Sequence, residues 1–412
     1  MARHSALYSP KAFRQWIREL ADAFPELSQP QVLGLATWSF GMILARCCAL
    51  TTVALVIATF LGHTYHAVRQ RLREFYQEAA AKKGNHRRDF DVTTCFAPLL
   101  RWLLRDWNGR QLAVAIDASS LGVLFVVLCV SVVYRGCAIP VAWAIVPANS
   151  KGSWKEPWLK LLRHFRGTVP EGWSVLVLAD RGLYAKWLFR GIRKLGWHPL
   201  LRVNQGGKFR PKGWHHFVPM ASLVPCPGRC WRGRGMAFRT AEVQLPCTLL
   251  AFWGEGHAEA WLLLTDLAPQ VSDASWYGLR SWVEQFFKDG KRGGWQWQHT
   301  RMTDPKRAER LWLAIAVATL WLVRVGGENE VREGGSLPAW KEDAESDRPK
   351  ARRWRLVSVF ARGWIVIVVA LFKHSRVPHG RLVPEPWPTL PKNTPGPAEE
   401  RRGKTSGMKT YT

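Results

Sequence analysis

Asp117 and Asp180 close two apolar runs of strand character, LAVAID and VLVLAD. Each side chain is therefore expected at the C-terminal edge of a strand, where open sheets place their ligands. If the strands are neighbours, the carboxylates converge, and two such charges stay ionised together only with a cation between them. A divalent metal is the natural occupant, because hard cations take oxygen ligands. Taken singly, either Asp also reads as a helix cap or turn former, so the argument rests on the pair.

A third carboxylate, Glu284, lies in WYGLRSWVEQFFKDGK. On a helical wheel of about 100° per residue with Tyr277 at zero, Arg280, Glu284, Lys288 and Lys291 fall at about 300°, 340°, 20° and 320°. Leu279, Trp282, Val283 and Phe286 take the opposite face, which would anchor the helix on a core. A salt-bridged surface stripe has the same look, Glu284 and Lys288 being an i,i+4 pair. Yet a tyrosine, an arginine, a carboxylate and two lysines in one row are what joint binding of phosphate and metal requires.

Tyr277, two residues, Arg280, three residues, Glu284, six residues and Lys291 reproduce the signature of cut-and-paste insertion-sequence transposases with a DDE triad. RGCAIPVAWAIVP after the first Asp and ADRGLYA around the second also resemble that family. The resemblance covers roughly residues 110 to 325. It implies an RNase H-like catalytic domain in which Asp117, Asp180 and Glu284 hold two Mg2+ ions, with Mn2+ as a substitute. It further implies phosphate contacts from Tyr277, Arg280, Lys288 and Lys291. Trp261, heading WLLLTD, stands where a tryptophan fills the gap left by a flipped base; an ordinary core tryptophan is the alternative. Arg181 is a phosphate contact or a sheet-edge ion pair. The partners implied are double-stranded DNA, as terminal inverted repeats and target, and a second copy of the chain in a synaptic dimer.

The elements that must carry these residues are legible in outline. Short β-branched runs at Leu112 to Ile116, Val123 to Tyr134 and Ala138 to Val146 predict three successive strands. Helices are expected from Trp154 to Phe165 and Tyr184 to Leu195, alternating with strands at Ser174 to Ala179 and Pro199 to Val203. This order predicts an α/β fold with a mixed sheet flanked by helices. The organisation expected is a helical DNA-binding region over 1–108, a catalytic domain in two parts, 109–204 and 269–326, and a β-rich insertion over 205–268. Residues 327–412 are left as linker, C-terminal helix and basic disordered tail. The insertion ends on a strand at Ala260 to Thr265. Helices follow at Ser275 to Asp289, Pro305 to Val325 and, beyond a polar linker starting GGENEV, Trp354 to Lys373; the proline-rich residues from about 376 read as disordered.

Bulk composition agrees with a polyanionic partner: 59 lysines and arginines against 31 acidic residues leave a formal charge of +28. The eight cysteines form no paired framework, which suits a reducing cytoplasm at the nucleoid, and no secretion signal is evident. Cys226 and Cys230, with Cys247, His215 and His216 nearby, lack a convincing second pair for zinc. Val32 to Leu61 carries one charge, Arg46, in thirty residues, long enough to span a bilayer. Arg46 and the polar Thr37, Ser39, Thr51 and Thr52 favour a buried helix pair broken near Gly41, with no membrane partner. Three other readings use the same residues: an RNase H-like nuclease or resolvase that never joins strands, an inactive protein that binds DNA ends, and a membrane-anchored protein.

Overall fold

The computed structural model describes residues 10–82, 88–150, 154–333 and 357–390. They fall into two compact units: the chain up to Leu201 with Trp276–Pro388, and Arg202–Ser275 with the residues from Thr389.

The first unit opens with five helices, α1 (Pro10–Ala23), α2 (Gln29–Ala45), α3 (Leu50–Leu61), α4 (Tyr65–Tyr76) and α5 (Phe96–Arg105). Ser28 starts α2 in a capping box with Gln31, which satisfies end donors the helix itself leaves unpaired. The long apolar segment is indeed two helices, but the break lies at Arg46–Ala49 and not at Gly41. Arg46 takes a left-handed conformation, φ 48°, and closes α2; α3 then leaves at 94°. Gly41 is buried inside α2, where an added Cβ would stand 2.8 Å from Val53 Cγ1. Its role is close packing of α2 on α3.

The sheet follows: β1 (Gln111–Leu121), β2 (Phe125–Tyr134) and β3 (Cys137–Pro147), then helix α6 (Lys155–Arg163), β4 (Ser174–Ala179), helix α7 (Lys186–Arg193) and β5 (His198–Arg202). The strand order is β3-β2-β1-β4-β5. β1, β2 and β3 pair antiparallel, and β4 and β5 run parallel to β1. This is the RNase H-like arrangement, a mixed sheet with helices on its faces. The β2–β3 hairpin turns on Arg135 and Gly136, both at positive φ, the conformation that matches strand twist in two-residue turns.

Three more helices complete the unit: α8 (Trp282–Lys288), α9 (Pro305–Arg332) and α10 (Val359–Phe372). Asp304 caps α9 by accepting from Arg307 N, and Pro305 pre-sets its first turn. α9 packs on β3, α10 and α2, so nearly its whole circumference is buried. Among the described residues it is the one helix long and apolar enough to cross a membrane, and 94% of that apolar stretch is buried here as core.

Two expectations at the C-terminal side are corrected. The polar linker was expected from Gly326, but α9 continues to Arg332. Gly326 lets α10 approach backbone to backbone, and buried Glu330 pairs with Arg135, so tertiary packing extends the helix past two glycines. The chain after 376 was expected to be disordered, yet Leu382 is fully buried, exchanges hydrogen bonds with Asp106 and Asn108, and is followed by Val383, whose carbonyl accepts from Arg135 Nε. Val377 and Leu382 supply the apolar anchors that composition alone understated. Residues 334–356, most of the expected linker and the start of the Trp354 helix, and 391–412 lie outside the described residues.

The second unit is an antiparallel sheet of β6 (Lys208–Pro211), β7 (Val218–Pro219), β8 (Arg229–Ala237), β9 (Leu245–Trp253) and β10 (Trp261–Thr265), ordered β10-β9-β8-β6-β7. Phe209, Met220, Val224, Leu249 and Leu262 are buried in it. These strands fall within residues 205–268, where a β-rich insertion was expected.

Candidate active site

Strand register brings the first two carboxylates together. β1 and β4 run parallel with Ile116 opposite Ala179, so Asp117 and Asp180 are the next residue on each chain. Asp117 does not end its strand, as expected, because β1 continues to Leu121 on β2, where Asp117 faces Cys129. Asp180 does leave β4, and its Oδ1 accepts from Gly182 N at 2.9 Å, which shapes the turn and leaves Oδ2 for other partners.

The third carboxylate comes from α8, which packs on β3 and buries Val283 and Phe286. Glu284 stands on the opposite face with its side chain 55% exposed. Arg280 joins the three acids: its Nη2 lies 2.9 Å from Asp117 Oδ2 and 3.3 Å from Asp180 Oδ2, and its Nη1 lies 2.8 Å from Glu284 Oε1. The sequence reading gave Arg280 to phosphate; in this structure it is the carboxylates' counter-ion.

Burial pushes the Asp117 carboxyl up, Arg280 pulls it down, and Asp180 and Glu284 raise it again. Burial works against the Arg280 charge, yet Asp117, Tyr277, Asp180 and Glu284 hold its guanidinium above the ordinary value. Lys291 donates to Ser119 Oγ at 2.9 Å; burial lowers its ammonium while Asp117 raises it. Together with Lys288 and Phe287 these residues line an open cleft of about 370 Å³.

Tyr277 is the residue of the stripe that is misplaced by the wheel. It is 5% exposed, because Ala274–Ser281 winds as a 3-10 helix before α8 begins. At three residues per turn the 100° wheel does not apply there. A wider π-helical turn, Asp289–Gly293, follows α8 and carries Lys291. Lys288 is exposed on α8 and Arg181 is exposed beyond β4. Trp261 belongs to the second unit, on β10, half-buried and stacked on His257 with ring centroids 4.8 Å apart.

Ser119 and Phe287 line the cleft and were missed in the sequence. Ser119 had a signal: it stands two residues after Asp117, on the same face of the strand. Phe287 had none beyond its helix.

As the side chains stand, no three His, Cys, Asp or Glu residues among those described are close enough together to hold a metal ion, Cys226, Cys230 and Cys247 included. The donor chemistry of the cleft nevertheless fits a divalent ion: all three acids offer hard carboxylate oxygens, and all three already converge on one cation, the Arg280 guanidinium.

Comparison with known proteins adds a family resemblance. No curated protein matches the chain. Among solved structures, a piggyBac transposase synaptic complex with hairpin DNA aligns over 89% of this chain and 79% of its own at 10% identity and a TM-score of 0.38. Human ENDOV aligns over 60% of this chain and 99% of its own at 11% identity and a TM-score of 0.21. The family model of the transposase DDE domain matches residues 130–321, a span holding Asp180, Arg280 and Glu284, while Asp117 precedes it on the strand paired with β2. Through that match residues 130–321 resemble the transposase DDE domain.

Proposed function

We propose that this protein is a DDE transposase that cuts DNA at the ends of a mobile element and joins them to target DNA, using Asp117, Asp180 and Glu284. The observation that carries the reading is the convergence of these three acids, from β1, the end of β4 and α8, on one point of an open, lysine-rimmed cleft.

The three carboxylates would hold divalent ions, Mg2+ by preference and in a pair, and such ions supply activation of water or a DNA 3′-hydroxyl and stabilisation of the leaving oxygen. The protein's own groups do the binding and orienting. Asp117 is held by the sheet, its Oδ1 accepting from Ala118 N at 2.9 Å. Glu284 rides on a helix whose buried face fixes its position. Lys288 and Lys291 set positive charge beside the acids, where the DNA backbone must pass. Arg181, exposed next to Asp180, extends that positive rim. Tyr277, buried, helps hold the charge on Arg280, and Trp261 offers a stacking face to an unpaired base. Two copies of the chain acting together would bring two DNA ends into one complex.

Asp117→Asn, Asp180→Asn and Glu284→Gln are each expected to abolish cleavage of a terminal-repeat duplex while duplex binding, read by gel shift, is kept. Cleavage without any joined product in a strand-transfer assay would turn the reading to a nuclease. Unchanged cleavage in all three variants would remove these acids from the chemistry.

A further inference from the structure

The guanidinium of Arg280 occupies the point where a metal-holding set of acids would be expected to hold its cation. One positive charge serves three carboxylates, at 2.9, 3.3 and 2.8 Å. The arrangement is unsaturated on both sides. Three carboxyl groups share one guanidinium, and Arg280 Nε is buried with no hydrogen-bond partner among the described residues. A buried N–H without an acceptor is costly.

The chemistry of the two partners offers that second arrangement. A guanidinium matches phosphate in a two-pronged contact better than any other side chain. Carboxylate oxygens match a hard divalent ion. The cleft beside Arg280 is open and lined by Lys288 and Lys291, so a backbone phosphate drawn there arrives within reach of Arg280.

We propose that Arg280 is an exchangeable counter-ion. In the DNA-free protein it holds Asp117, Asp180 and Glu284 together and keeps divalent ions off them; an arriving phosphate draws it away, and the acids are released to metal. The inference rests on the three acids being the metal-holding set of the proposed function. Arg280 is then a positioning residue that makes metal loading depend on seated DNA. Such coupling is reciprocal: the factor by which DNA raises metal affinity is the factor by which metal raises DNA affinity.

The test is calorimetric titration of Mn2+ into the DNA-free, full-length chain, comparing wild type with Arg280→Gln, Arg280→Lys, Lys288→Gln and Asp117→Asn. Arg280→Gln is expected to bind Mn2+ about tenfold or more tightly than wild type. Lys288→Gln removes the same charge from the same cleft and is expected to change affinity by less than about threefold. Its thermal midpoint without metal should change little, whereas Arg280→Gln should lose stability that Mn2+ restores. If Arg280→Gln does not fold, Arg280→Lys replaces it, with a smaller gain expected because a point charge does not bridge three acids. Equal Mn2+ affinity in wild type and the Arg280 variant, with binding lost in Asp117→Asn, overturns the exchange and leaves the catalytic reading standing. Absence of Mn2+ binding in every variant overturns both.

Discussion

Gly326 of α9 and Gly363 of α10 meet backbone to backbone: an added Cβ on Gly326 would stand 1.8 Å from Val359 O, and one on Gly363 would stand 1.8 Å from Leu322 O. The two helices therefore pack closer than any side chain permits, and α9 is the helix against which β3 rests. Gly363→Ala is expected to lower stability by about 3 kcal/mol or more, since the obstacle is backbone and does not swing aside. Thermal unfolding followed by circular dichroism checks this; an unchanged midpoint would deny the contact.

Arg135 and Glu330 form a buried ion pair at 2.9 Å, with side chains 8% and 7% exposed, and Glu385 stands 3.5 Å from the same guanidinium nitrogen. Together they tie the β2–β3 turn, the end of α9 and the C-terminal segment. Removing one partner of a buried pair leaves an uncompensated charge, but Glu385 remains to Arg135. Glu330→Ala is therefore expected to cost about 1–3 kcal/mol, less than a fully orphaned charge. Protease sensitivity after Leu382 should rise in parallel in limited digestion.

Asp289, at the π-helical turn between Glu284 and Lys291, is buried, and its carboxyl is pushed up to about 6, chiefly by burial and against a hydrogen bond from Gln285 and the charges of Arg46 and Lys288. A folded-state value above the unfolded one means the native state binds the proton more tightly. Its contribution to stability is thus fully present below about pH 4 and is lost as pH rises through about 6. Relative to Asp289→Asn, the wild type is expected to lose about 2–3 kcal/mol between pH 4 and pH 7. Denaturant unfolding of both proteins across that window tests it, and parallel stability curves would count against a shifted Asp289.

Lys288 and Lys291 should act on DNA as charges that displace counter-ions. Duplex affinity is expected to fall steeply with salt, and Lys288→Ala or Lys291→Ala to reduce the slope of log affinity against log salt by about one unit each. Fluorescence anisotropy at several salt concentrations measures this. A salt-insensitive complex would remove the cleft rim from the binding surface.

Much of the molecule is legible in its residues because it depends on local pattern. Strand period and β-branched composition mark β1 to β4 and set Asp117 and Asp180 at the ends of their apolar runs. The apolar face of WYGLRSWVEQFFKDGK places Glu284 outward on α8, and turn residues with alternating apolar positions mark the β insertion. These are properties of a few neighbouring residues, which the chain carries wherever it goes.

Other features belong to the tertiary structure because they depend on which distant segments meet. Only register puts Ile116 beside Ala179 and so Asp117 beside Asp180. Only packing winds Ala274–Ser281 tightly enough to bury Tyr277, and carries α9 past its glycines to Arg332. Arg280 shows the division most clearly. Its i,i+4 spacing to Glu284 is written in the chain, but so is that of Glu284 to Lys288. The choice between them came from Asp117 and Asp180, whose charges, brought up by the sheet, drew the guanidinium inward.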